Sequence, residues 1–249
     1  MNPGELAEAK KLFLGARQAA KKYPSVQVGV AAPFVFLSEL RKLSVAGLVS
    51  LGAQNLFPEA LGAHTGEISP LMLKGLNVTQ VIIGHSERRA AGETSQEIVA
   101  KIKSALKYKL TPIICFGETE RDEQGSFLAV VEAQLEEIVA EIPATRLKEV
   151  IFAYEPVWAI GSGETPAPDE VEEMRLFIHK VLAKKYSRPV ASKATIIYGG
   201  SVSKNNAALL LAETEMAGFL VGGASLKVGD FEGIIAAAAK SDKKSRWDY

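Results

Sequence analysis

The chain has 249 residues and one cysteine, Cys115. It therefore forms no internal disulfide and has no CxxC metal pair, which agrees with a reducing compartment. No run approaches the ~18 apolar residues of a membrane-spanning helix. The opening Met1-Asn2-Pro3-Gly4-Glu5-Leu6 lacks the basic-then-apolar form of a signal peptide, so the expected location is the cytoplasm. Neither sign of charge is in excess, with 29 Lys and Arg against 29 Asp and Glu. That balance lacks the electrostatic footprint of a nucleic-acid or anionic-membrane binder and leaves a small molecule as the expected partner. No GxGxxG opens a helix, as a dinucleotide-binding fold requires. The histidines are three, His64, His85 and His179, on different elements and without a spaced carboxylate partner, so no metal and no cofactor is expected.

What the chain does have is alternation. After an amphipathic helical stretch over Glu5 to Lys22, short apolar runs at Val26 to Ala31, Leu48 to Ala53, Gln80 to Gly84, Pro112 to Phe116, Val150 to Tyr154, Thr195 to Tyr198 and Gly218 to Val221 read as strands. Between them, helical spacing recurs near Ser38 to Val45, Pro70 to Leu76, Ser95 to Lys109, Gln124 to Glu141, Pro168 to Lys185, Lys204 to Ala212 and Phe231 to Lys240. Strand–helix alternation predicts a parallel sheet with crossover helices. Even spacing of the strands favours a closed (β/α)8 barrel over an open doubly wound sheet. No linker or composition shift divides the chain, which is read as one domain over residues 1–240 with a charged tail over 241–249.

In such a barrel, chemistry sits where each strand ends and its loop begins. Those ends here are Pro33-Phe34, Gln54-Asn55, His85-Ser86-Glu87-Arg88-Arg89, Gly117-Glu118-Thr119, Glu155-Pro156, Gly199-Gly200-Ser201 and Gly222-Gly223. Glu155 closes the strand and opens a loop with Pro156, Trp158 and Gly161-Ser162-Gly163, which reads as a stiff lid between hinges. The bland reading is a solvated glutamate before an ordinary connection. His85 at a strand end is commonly a hydrogen-bonded structural residue, and its place on the same rim as Glu155 raises the functional alternative. The glycine turns after the last two strands let backbone N–H groups approach an anion such as phosphate.

These segments carry a resemblance to the triosephosphate isomerase family. They are Gly52-Ala-Gln-Asn55, Gly62-Ala-His-Thr-Gly-Glu-Ile68, Ile83-Gly-His-Ser-Glu-Arg-Arg89, Ala153-Tyr-Glu-Pro-Val-Trp-Ala-Ile-Gly161, Tyr198-Gly-Gly-Ser-Val202 and Leu220-Val-Gly-Gly-Ala-Ser-Leu226, and the match runs from Met1 to about Ile235. The resemblance implies interconversion of dihydroxyacetone phosphate and D-glyceraldehyde 3-phosphate through an enediolate, a step of glycolysis and gluconeogenesis. It implies Glu155 as the base, neutral His85 as hydrogen-bond donor to the carbonyl oxygens, and phosphate binding by Gly161, Ser201, Gly222 and Gly223. Glu87 and Cys115 resemble supporting residues of the family. Thr65 resembles the residue that reaches into a neighbouring subunit, which implies a homodimer.

The sequence departs from the family at its start. The family's first strand ends in Asn-x-Lys-Met-Asn, and this chain begins Met1-Asn2, so the strand and the active-site Asn and Lys are absent as printed. Loss of one preorganised donor of that kind costs on the order of 3 kcal/mol. A slot between the Val26 strand and the Gly218 strand is expected, with two exposed edges. Two explanations stay open: a longer working protein, or a weakly active or non-catalytic phosphosugar-binding barrel. The lid also ends in an acid, Glu164, where a cation or neutral residue is common.

Overall fold

The computed structural model describes residues 1–160 and 165–241. The Gly161 to Glu164 part of the expected lid and the tail beyond residue 241 lie outside the described residues. The elements run α1 (Leu6–Lys22), β1 (Val28–Ala32), α2 (Phe34–Leu43), β2 (Val49–Ala53), α3 (Pro70–Gly75), β3 (Gln80–Ile83), α4 (Ser86–Ala90), α5 (Ser95–Lys107), β4 (Thr111–Phe116), α6 (Ser126–Ala140), β5 (Ile151–Tyr154), α7 (Pro168–Tyr186), α8 (Arg188–Ala191), β6 (Thr195–Tyr198), α9 (Ala207–Glu213) and α10 (Val228–Lys240). The six strands form one parallel sheet in sequence order, with Val28 opposite Val49, Ile113 opposite Ile151 and Ile151 opposite Thr195.

Strand residues alternate between two separate cores, because successive side chains leave opposite faces of a pleated strand. Ile113, Cys115, Ala153 and Ile197 pack together on the inner face with Ile82, Ile151 and Leu220. Their neighbours Ile114, Phe116, Phe152, Tyr154, Ile196 and Tyr198 join the larger core against Ile98, Ile102, Leu135 and Ile178 of the helices. A sheet covered on both faces needs near-continuous apolar runs, and Thr111–Phe116 and Ile151–Tyr154 supply them.

The expected seventh strand, Gly218 to Val221, is present as a single parallel bridge between Tyr198 and Phe219. Tyr198 N–H donates to the Gly218 carbonyl at 3.0 Å and Leu220 N–H to the Tyr198 carbonyl at 2.9 Å. The ladder stays short because the segment has a strand neighbour on one side only among the described residues. β1 is the other edge, and its burial reflects that: Val28 and Ala32 are buried, Gly29 is exposed, and Val30 and Ala31 are half-buried.

Three helix starts differ from the sequence reading by three residues or more. α2 begins at Phe34, directly after Pro33, and α10 begins at Val228. α9 begins at Ala207 because the Asn206 side chain accepts from Ser203 N–H (2.7 Å) and from the Ser203 hydroxyl (3.2 Å), holding residues 203–206 in a turn.

A buried ion network ties the loop after β2 to α5. The Glu93 and Lys101 side chains are 2% and 7% exposed and paired to each other. Glu93 Oε1 also accepts from Arg88 Nε at 3.0 Å, and Lys101 Nζ donates to Asn55 Oδ1 at 2.9 Å. Burial pushes the Glu93 carboxyl up, but the Lys101 and Arg88 hydrogen bonds outweigh it and hold the group below its usual range. A lowered carboxyl contributes stability above the unfolded carboxylate range and loses it as pH falls through the native value. Lys101→Met removes the main partner and leaves a buried carboxylate, so an unfolding free energy lower by about 3 kcal/mol is expected in urea titrations at pH 7.

Candidate active site

Glu155 lies one residue past the end of β5, yet the ladder still holds it. Its N–H donates to the Phe116 carbonyl at 2.8 Å, and Gly199 N–H donates to the Tyr154 carbonyl at 2.8 Å. Two glycines make room for it. A Cβ on Gly117 would stand 1.8 Å from the Glu155 carbonyl oxygen, a distance no side chain tolerates. A Cβ on Gly199 would stand 2.9 Å from Glu155 Cγ. Glycine at these positions is what lets the neighbouring strands close over the acid.

The carboxylate is 1% exposed. Oε2 accepts from Ser86 N–H at 3.0 Å. Oε1 stands 3.2 Å from His85 Nε2 but out of line for a hydrogen bond, and it has no partner among the described residues. His85 caps α4, where its Nδ1 accepts from Glu87 N–H at 3.2 Å. That bond leaves Nδ1 without a proton, so in the neutral ring the proton sits on Nε2, the nitrogen turned toward Glu155. Burial raises the Glu155 pKa; the nearby His85, Ser86 N–H and Cys115 oppose this without cancelling it. Cys115, fully buried beneath the acid, has its thiol pushed up by burial first and by the Glu155 charge second.

A cavity of about 700 Å³ opens beside these groups. Of the residues singled out in the sequence, it brings together His85, Glu155, Ser201, Gly222 and Gly223, while Gly161 lies outside the described residues. Gly222 and Gly223 are exposed and face open space, and Gly223 starts a turn of 3₁₀ helix over Gly223–Leu226. Their N–H groups have no acceptor among the described residues. Glu87 and Glu215 also line the cavity, and no lysine or arginine does among the described residues.

Sequence reading gave Glu118 no role, although it stands at a strand end. It is 1% exposed and its Oε1 accepts from Tyr154 OH (2.8 Å), Trp158 Nε1 (3.0 Å) and Arg121 Nε (3.0 Å). Arg121 also donates to Tyr154 OH and Glu170, each at 3.0 Å, and its guanidinium lies 5.3 Å from the Trp158 ring centroid. The backbone joins in, with Val157 N–H donating to the Glu118 carbonyl at 2.9 Å. The residues right after Glu155 are thus clamped to the loop after β4. The signal available in the sequence was an acid after a strand together with one aromatic in the lid, and neither alone says that they meet.

A buried carboxyl facing an imidazole donor, both at the C-terminal ends of parallel strands, defines an α/β enzyme working by proton transfer. A family model described as triosephosphate isomerase matches residues 1–238. Curated triosephosphate isomerases match over most of the chain. That of Hydrogenovibrio crunogenus is 43% identical over 95% of this chain and 94% of its own length. That of Carboxydothermus hydrogenoformans is 46% identical over 86% of each, and that of Rhodopirellula baltica is 43% identical over 91% of this chain and 90% of its own length. The chain belongs to the triosephosphate isomerase family.

The raised Glu155 carboxyl has a stability signature. The native state holds this proton more tightly than the unfolded state does, so stability falls as pH rises from the unfolded value, near 4.3, through the native one. In Glu155→Gln that dependence is gone. The stability difference, variant minus parent, is expected to be flat below about pH 4 and to climb with pH through the window, read by denaturant titration at a series of pH values.

Proposed function

We propose that this chain interconverts dihydroxyacetone phosphate and D-glyceraldehyde 3-phosphate through an enediolate, without a metal or cofactor. The observation that carries this reading is the dry Glu155 carboxylate beside the Nε2 of His85, in a chain of this family. Glu155 leaves Ser86 N–H, takes the proton from the carbon next to the substrate carbonyl, and the electron pair of that C–H bond moves to make the enediolate. His85 Nε2–H donates to the oxygen that becomes negative and helps pass the hydroxyl proton between the two oxygens. The protonated Glu155 then returns its proton to the neighbouring carbon, giving the other isomer. A carboxyl raised by burial is a stronger base than a solvated one, which suits abstraction from a weak carbon acid.

Ser201, Gly222 and Gly223 hold the phosphate, the two glycines through N–H groups that have no acceptor among the described residues, and Gly161 adds to them from the lid. Glu87 and Cys115 support the site from beside His85 and beneath Glu155. We take residues 1–240 as one (β/α)8-type domain whose first-strand position, between β1 and residues 217–221, is not filled by the described residues. One observation favours a second reading, a phosphosugar binder with little turnover. The cavity wall carries carboxylates and no lysine or arginine among the described residues, so a phosphate dianion meets little side-chain charge compensation there.

Thr65 places a partner copy on the loop before α3, which makes the working unit a homodimer in the cytoplasm. Thr65 is exposed, and Leu61 in the same loop is 80% exposed, an apolar side chain without cover in a single copy. Thr65→Arg is expected to halve the mass seen by sedimentation at micromolar concentration; an unchanged mass removes this loop from the interface.

For the chemistry, Glu155→Gln is expected to stop exchange of the substrate's α-proton with deuterated solvent while glycerol 3-phosphate still binds. His85→Gln is expected to lower kcat by about 10²- to 10³-fold with a smaller effect on KM. Undiminished exchange in Glu155→Gln overturns the assignment.

A further inference from the structure

We propose that Gln134, on α6, is a positioning residue for Glu155: its amide fixes the two peptide units that meet at Gly117, and through them the seat of the acid. The consequence for catalysis rests on the isomerase reading, whereas the cause rests on backbone geometry alone. Gly117 lies one residue past the end of β4 and is buried. Its N–H donates to Gln134 Oε1 at 3.0 Å, and its carbonyl accepts from Gln134 Nε2 at 3.1 Å. One side chain thus meets both backbone groups of one residue, as a neighbouring strand would.

The two peptide units lead to different parts of the site. In the Phe116–Gly117 unit the N–H is held by Gln134, and the carbonyl, at the opposite end of the same plane, accepts from Glu155 N–H at 2.8 Å. In the Gly117–Glu118 unit the carbonyl is held by Gln134, and the chain goes on into Glu118, whose carboxylate takes Tyr154 OH and Trp158 Nε1. Glycine is required between them, because a Cβ there would stand 1.8 Å from the Glu155 carbonyl oxygen. Glycine also lets both planes rotate freely. The close approach that buries the acid therefore creates a loose joint beside it, and Gln134 removes the looseness.

The position of Gln134 on its helix agrees. Phe127, Val131, Gln134 and Ile138 follow one another at spacings of four, three and four residues, so they share one face of α6. Val131 and Ile138 are buried in the main core, and Phe127 packs against it. Gln134 is the polar member of this apolar stripe. A polar group on an inward face is costly unless its donors and acceptors are met, and here the backbone next to Glu155 meets them.

The test is Gln134→Met in the full chain, which keeps the side chain's size and removes both hydrogen bonds. The rate constant for exchange of the substrate's α-proton at saturating dihydroxyacetone phosphate is expected to fall about tenfold, with KM changed by less than about twofold. In the ligand-free protein the Glu155 carboxyl, followed by carbon-13 NMR and identified by its absence in Glu155→Gln, is expected to titrate lower than in the parent. Burial holds it up, and a loosened seat admits water. Val131→Ala controls for a merely structural effect, since it removes packing from the same helix face without touching Gly117. It is expected to lower the melting temperature and leave both readouts at parent values. Parent-like exchange and titration in Gln134→Met, or equal changes in the two variants, overturn the proposal. Should Gln134→Met not fold, Gln134→Glu decides, because a carboxylate accepts from Gly117 N–H but cannot donate to the Gly117 carbonyl. A loss of exchange of more than about twofold at unchanged KM is expected there, and the parent rate overturns the proposal. Absence of exchange in the parent overturns the isomerase reading alone, and the carboxyl titration then still decides whether Gln134 seats the acid.

Discussion

Keeping one carboxylate out of water is the constraint on which the site depends. Burial penalises the charged form of Glu155, and the surrounding structure offsets only part of that penalty. Ser86 N–H satisfies one oxygen, and the other has no partner among the described residues. A fully satisfied carboxylate would be stable and inert. The half-satisfied one retains a stronger demand for a proton, and the flanking parallel strands, β4 and β6, hold it by backbone hydrogen bonds so that the demand does not dissipate by swinging into solvent. Gly117 and Gly199 belong to the same constraint, because any side chain at either would force those strands away from the acid.

Much of this was legible in the sequence, and the reason is local. A strand that ends on Glu155-Pro156, a strand that ends on Gly84-His85, and glycine pairs after the last runs are each stated within a few residues, and alternation aligns their ends. What escaped needed contacts between distant positions. Glu118 meets Trp158 and Tyr154, 40 and 36 residues away, and nothing in either stretch announces the meeting. Lys101 looks like a solvated lysine in an amphipathic helix, and only packing against Glu93 and Asn55 makes it buried. The Gly218 to Val221 run has the composition of a strand and becomes a single bridge, since strand formation depends on neighbours as well as on residue type.

The Glu118 clamp bears on how the lid behaves. Trp158, Val157 and Arg121 lock the stretch just after Glu155 to the loop after β4 through one carboxylate and one carbonyl. Movement that began at Pro156 would have to break several of these hydrogen bonds at once inside a dry environment, at roughly 1 kcal/mol net for each. The clamp does not extend to Ile160, whose side chain is exposed. Glu155 and the residues just after it are then held as one rigid unit with the loop after β4.

Charge connects the open edge of the sheet to the chemistry. The mouth carries Glu155 and Glu87, and among the described residues that line the cavity there is no lysine or arginine to set against them. Gly222 and Gly223 present N–H groups without an acceptor among the described residues, on the wall of the same cavity as His85. The gap that leaves β1 unpaired opens at that same mouth.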